Sequence, residues 1–185
     1  MTWKNLPNIQ FESFYVSKEE SNCPLISDAI RVDKKIKNMD FKDTIFSLRY
    51  GKRILINAQK DESDELKQND FLEIVDYDPI KRVMLLMGPK KPGVETPLHW
   101  LIHHARNEVN AVVQIKNKDI IEKLKGTIMT TDKEYPPGTI EQAKEVLKCL
   151  RDSKEVIIKN QSIIFVGTNI KEAEDLILKF CEGVK

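Results

Sequence analysis

The chain has 185 residues, enough for one domain with a real core, and its 41% hydrophobic and 32% charged residues fit a globular protein with a well-charged surface. Lys and Arg number 30 against 29 Asp and Glu, a balance that excludes the basic excess of a nucleic-acid binder. No stretch approaches the ~18 apolar residues of a membrane span, and MTWKNLPNIQFESF at the start lacks the apolar run of a secretion signal.

Residues 1–24 carry no clear periodicity. From 25 to 38, Ile26, Ile30, Ile36 and Met39 recur at helical spacing and predict a helix. TIFSLRYGKRILINA places two β-rich runs around Tyr50-Gly51-Lys52, a hairpin with glycine at the turn. DFLEIVDYDPIKRVMLLMG repeats the pattern, with strands over 70–76 and 81–87 and a turn at Asp78-Pro79. GPKKPG (88–93) is a loop. ETPLHWLIHHAR is a helix, with Thr96 as expected N-cap and Pro97 at the first helical position. NAVVQI is a buried strand, and NKDIIEKLKG a helix ended by Gly126. TIM (127–129) is short and extended, and YPPGT a loop. Thr139-x-x-Gln142 matches a capping box opening a helix to about 151. KEVIIKNQSIIFVGTN reads as a hairpin around Asn160-Gln161. Asn169-x-x-Glu172 opens the last helix, which buries Ala173, Leu176, Ile177 and Phe180. The whole predicts one α/β domain, 1–185, with a mixed, largely antiparallel sheet covered by helices. Cys23, Cys149 and Cys181 lie in separate segments and form no CxxC pair, so a zinc ribbon or redox motif is not expected, and a reducing cytoplasm is.

Two blocks carry a family resemblance. ETPLHWLIHHARNEVNAVVQIKNKDII resembles the core of the class II aldolase/adducin family, in which a glutamate, a helix ending in Ala-Arg and an NAVVH-x-H strand follow in order. YPPGTIEQAKEVLKCLRDSKEVIIKNQSIIFVGTNIKEAEDLI is similar to its later block of proline-rich loop, helix, strand, NHG turn, strand and helix. The resemblance is strongest over 43–182 and implies the three-layer class II aldolase-like fold. It also implies carbohydrate chemistry in the cytoplasm, a homo-oligomer, in many members a tetramer, and a site between subunits. The family's enzymes hold a zinc or similar ion on three histidines. The ion polarises a carbonyl and stabilises an enediolate while a glutamate moves the proton.

Carried over residue by residue, the glutamate is Glu95, but the three histidine positions hold Gln114, Lys116 and Gln161. An amide is a poor zinc ligand and an ammonium repels a cation. No metal or other cofactor is therefore expected on this set. The family's phosphate-binding positions fall near Thr44-Ile45 with Ser47 retained, on Asn57-Ala58-Gln59-Lys60, and on Gly93-Val94. Ser47, Asn57 and Gly93 are thus candidate substrate-binding residues, and Glu95 and Lys116 candidate catalytic ones. The only histidines are His99, His103 and His104. Glu95, His99 and His103 recur every four residues and would make a displaced metal site if they share one helix face. Lys116 has two open roles: neutralising Glu95 where the metal would sit, or acting as a cation or Schiff-base amine. Lys90 and Lys91 either bind an anion beside a helix N-terminus or form a solvated basic loop. Lys116, Lys118, Lys123 and Lys125 alternate with Asp119 and Glu122 as a solvated face would. The resulting expectation is an aldolase-like protein without zinc-dependent activity that binds a small anionic or phosphorylated metabolite or serves in assembly. The alternative is a carbohydrate-phosphate lyase or epimerase using Glu95 with Lys116 or a displaced metal.

Overall fold

A computed structural model describes residues 11–39, 41, 43–59, 65–123 and 126–183. The side chains of Lys118, Ile120 and Lys123 also lie outside the description, as do Lys60 and Lys125. The elements run β1 (Glu12–Ser17), α1 (Leu25–Lys37), β2 (Asp43–Tyr50), β3 (Arg53–Asn57), β4 (Phe71–Asp78), β5 (Val83–Met87), α2 (Thr96–Ala105), β6 (Ala111–Lys116), α3 (Lys118–Lys123), α4 (Ile140–Leu150), β7 (Glu155–Ile158), β8 (Ser162–Gly167) and α5 (Ile170–Gly183). One eight-stranded sheet has the order β1-β5-β4-β3-β2-β6-β8-β7. Every named strand pair is antiparallel except β1 with β5. The mixed, largely antiparallel sheet expected from the sequence is therefore the observed one. β1 is the strand the sequence did not announce. It has no turn partner, and its neighbour lies some seventy residues downstream.

The period of two along β6 and β8 builds the layers. Val113, Ile115, Ile163 and Phe165 face α1 and α5, packing with Val32, Ile36, Ala173 and Ile177. Val112, Ile164 and Val166 face the opposite side and pack with Leu98 and Ile102 of α2 and with Ala143, Val146 and Leu150 of α4. Each such fully buried Val, Leu or Ile contributes about 1.5–3 kcal/mol of transfer free energy. Farther along the sheet, Ile54, Ile56, Leu72, Ile74, Tyr77, Met84 and Leu86 form a third cluster under Trp100.

Two helix starts, those of α2 and α4, differ from the sequence expectation, while the last helix opens at Asn169 as expected. Thr96 does not cap α2. Its hydroxyl and its amide both donate to the Gly93 carbonyl, at 2.8 and 3.2 Å. Glu95 already has helical backbone angles and is the N-cap, with Pro97 one position deeper than expected. Thr139 does cap α4, accepting from the Gln142 amide at 3.1 Å, but the Gln142 side chain accepts from Gly138 rather than from Thr139. Asn169 likewise accepts from the Glu172 amide, while the Glu172 carboxylate accepts from Thr168. In both the return bond lands one residue early, so neither is the reciprocal box.

Candidate functional site

One cleft collects the ends of β2, β3 and β6 and the start of α2. Asp43, Asn57, Gly93, Glu95, Thr96 and Lys116 are among its lining residues, and it encloses about 430 Å³, counting space open to solvent. Four candidates therefore meet there: Glu95, Lys116, Asn57 and Gly93. Ser47 does not line it.

Lys116 is the last residue of β6 and lies directly opposite Asp43 in the β2–β6 register. Its Nζ is 2.7 Å from Glu95 Oε1 and 3.4 Å from Asp43 Oδ2. Burial alone would lower the Lys116 pKa. The charges of Glu95 and then Asp43, with hydrogen bonds to both, outweigh that and raise it. The amine is thus held as an ammonium at neutral pH, the wrong state for Schiff-base attack. Gly93 makes room for this arrangement, because a Cβ there would sit 3.1 Å from Glu95 Oε2. Asp43 escaped the sequence reading because its proximity follows from strand register, which no local motif reports.

The other candidates are engaged structurally. Asn57 Oδ1 accepts from the Phe46 amide at 2.6 Å, and Asn57 Nδ2 donates to the Ala58 carbonyl at 3.2 Å, which ties β3 to β2. Lys90 Nζ lies 2.5 Å from Asp70 Oδ1, while Lys91 is exposed. At the start of α2 the Thr96 amide is taken by Gly93 and Pro97 has none, which removes two of the donors an anion would use.

His99 and His103 share one face of α2 and are fully buried. Ser47 Oγ lies between them, 2.7 Å from His99 Nδ1 and 2.9 Å from His103 Nε2. His103 Nδ1 is 3.1 Å from the Val109 carbonyl, and the Gln114 amide spans His99 Nε2 at 2.9 Å and Ser162 Oγ at 2.8 Å. Proton counting orders this chain. The Val109 carbonyl only accepts, so His103 donates through Nδ1 and accepts at Nε2 from the one Ser47 proton. His99 must then donate to Ser47 through Nδ1 and accept at Nε2. Gln114 therefore turns its amide nitrogen to His99 and accepts from Ser162 at its oxygen. The opposite amide orientation needs an extra proton on one ring, and O and N of an amide are told apart only by such partners. Burial opposes that proton. It lowers His99 to about 4, with help from the Lys116 charge. It lowers His103 to about 3, against the hydrogen bond to the Val109 carbonyl and with help from His99 and Arg49.

The three positions expected to hold a metal in relatives do not fit one. Gln114 is fixed between His99 and Ser162, and Lys116 is an ammonium. Gln161 donates to the Tyr135 carbonyl at 2.6 Å and accepts from Gln142 at 2.7 Å. The displaced set fares no better. Glu95 faces Lys116, and both nitrogens of each histidine are engaged. Among the described residues, no group of three or more His, Cys, Asp or Glu is placed to hold a metal ion.

Residues 38–121, from the end of α1 into α3, match the family model of the Class II Aldolase and Adducin N-terminal domain. The match covers somewhat less than half of the chain. The class II aldolase fold extends through nearly the whole chain. A solved L-fuculose 1-phosphate aldolase aligns over 89% of this chain and 86% of its own, with a TM-score of 0.73 at 15% identity. A sugar-phosphate aldolase from Thermotoga maritima aligns over 86% and 91%, with a TM-score of 0.69 at 14% identity. The N-terminal class II aldolase domain of a conserved protein from Thermoplasma acidophilum aligns over 96% and 98%, with a TM-score of 0.61 at 16% identity. At such identities the likeness shows the fold alone. No curated protein sequence matches the chain. No helix among the described residues is long and apolar enough to cross a membrane.

Proposed function

We propose that this class II aldolase-fold protein binds a small polar metabolite in the Glu95–Lys116 cleft and does not carry out zinc-dependent aldol chemistry. One observation carries the reading: the Lys116 ammonium, 2.7 Å from Glu95, supplies the positive charge that a metal would supply beside that carboxylate. A buried carboxylate left alone is costly, so the lysine and the loss of ligands belong together. The phosphorylated ligand expected from the sequence is less well supported. Lys116 and Lys90 each already face carboxylates, and the start of α2 offers few free amides. A hydroxyl- or carbonyl-bearing metabolite suits this lining better. The reading places the protein in the cytoplasm, where the thiols of Cys23, Cys149 and Cys181 stay reduced.

A second reading draws on the exposure of Lys116, whose side chain is 36% accessible. There the ammonium stabilises an enediolate while Glu95 moves the proton of a small hydroxyketone. Metal content after purification without a polyhistidine tag and incubation with zinc, manganese and cobalt tests the first reading. No ion above background is expected, and one tightly held ion per chain would overturn it. Exchange of solvent deuterium into dihydroxyacetone, lost in Lys116→Met, would establish the second instead.

A further inference from the structure

A second cavity shares no lining residue with the Lys116 cleft and lies between the β4–β5 turn and the first turn of α4. It encloses about 380 Å³, counting space open to solvent. Phe11, Tyr77 and Pro79 give it an apolar wall, and Arg82, Thr139 and Glu141 are among its polar lining. Phe11 and Tyr77 meet edge to face, with ring centroids 6.3 Å apart, and Trp100 backs Tyr77 from 5.5 Å.

Tyr77 is only 5% exposed, yet its hydroxyl has no hydrogen-bond partner among the described residues. Buried tyrosines nearly always satisfy that group. The Tyr77 oxygen is not sealed from solvent, and Tyr77 lines the cavity, so the hydroxyl opens into it. Arg82 lines the same cavity, and its charge partly offsets the burial that pushes the Tyr77 hydroxyl up. It is exposed and has no ion pair among the described residues. The first turn of α4 adds two donors. Thr139 takes the Gln142 amide, but the Ile140 and Glu141 amides have no acceptor within the helix. Donors from three elements thus surround a pocket with an aromatic wall, and the tyrosine hydroxyl among them is left without a partner.

We propose that this cavity binds a small monocarboxylate with a flat apolar body. The guanidinium fork and the Tyr77 hydroxyl hold the carboxylate at the start of α4. The body lies on Phe11 and Pro79. Glu141 at the rim limits the charge to a monoanion, which disfavours phosphate. The site is independent of the Glu95–Lys116 reading and stands if that reading fails.

Benzoate and inorganic phosphate are the probes, titrated into the full chain and followed by Trp fluorescence and by NMR shifts of the indole N–H. Benzoate is expected to bind, and phosphate more weakly. Arg82→Asn suits the backbone there (φ 56°) and is expected to weaken benzoate roughly tenfold or more. Tyr77→Phe removes only the hydroxyl and is expected to weaken it a few-fold, by about 2- to 10-fold. Lys116→Met is expected to leave it unchanged. No benzoate binding at about 10 mM, undiminished binding to both cavity variants, or tighter phosphate than benzoate would overturn the proposal.

Discussion

Glu95 and Lys116 hold each other's charge, and removing one strands the other. Glu95→Gln leaves Lys116 with Asp43 alone, and Lys116→Met leaves two carboxylates facing each other across the cleft. Breaking a fully buried pair costs about 3–5 kcal/mol, but Lys116 is a third exposed, so each single substitution is expected to cost about 1–2 kcal/mol. The double variant is expected to lose less than the two singles combined. Urea denaturation of all four proteins measures this, and strict additivity would show the pair to be energetically idle. The buried histidines set a pH response of their own. Both titrate near about 6.5 in an unfolded chain, and folding lowers them to about 4 and about 3. The unfolded state therefore takes protons that the native state resists. The stability from neutral His99 and His103 is complete above about pH 6.5 and drains away as pH falls toward 4 and then 3. With two protons involved, the slope near pH 5 is expected to be on the order of 2 kcal/mol per pH unit. Replacing both by glutamine should flatten that slope even if overall stability falls. A slope unchanged in that variant would show that other groups carry it.

At the scale of elements, the sequence announced most of what the structure contains. β-rich and apolar runs gave β2 to β8, helical spacing and helix-start residues gave α1 to α5, and the caps Thr139 and Asn169 lie where their motifs put them. The failures share one cause, a contact made from outside the element. Thr96 resembled a cap because its bond to the Gly93 carbonyl depends on the loop's path. β1 was missed because only β5 gives it a reason to be extended. In the cleft, Glu95 and Lys116 were singled out by the family resemblance, which put one at a helix start and the other at a strand end. Asp43 was not, nor was the engagement of Ser47 with His99 and His103, since these depend on how strands register and on which way a helix faces. Gly138 shows how tightly the elements meet. Its φ is +78°, and a Cβ there would stand 2.3 Å from the Val94 carbonyl oxygen beside the start of α2. Gly138→Ala is expected to cost at least about 1 kcal/mol from backbone strain alone, with the clash added. A melting temperature equal to the parent's would mean that the loop relaxes freely.

For the whole molecule, assembly is the property that matters most to function. The family resemblance implies a homo-oligomer, and a tetramer is our proposal for this chain. Strand β1, at the sheet edge among the described residues, displays Phe14 and Val16, 53% and 64% exposed, on one face. Light scattering is expected to return four times the chain's 21.4 kDa. A mass of one chain would remove assembly from the functional account.

The position of β6 bears on how the molecule can be cut. It pairs with β2 on one side and β8 on the other, so it joins the two parts of the sheet. The segment that matches the family model stops at residue 121, after β6 but before β8. Excised by itself, that segment would present the β6 edge, Ala111 to Ile115, with its backbone donors and acceptors bare and its apolar faces stripped of α4 and α5. Such an edge recruits another like it. The smallest portion able to stay dispersed in solution must therefore run through β8 and the helix behind it. The segment that resembles the family is shorter than the cooperative unit that keeps it folded.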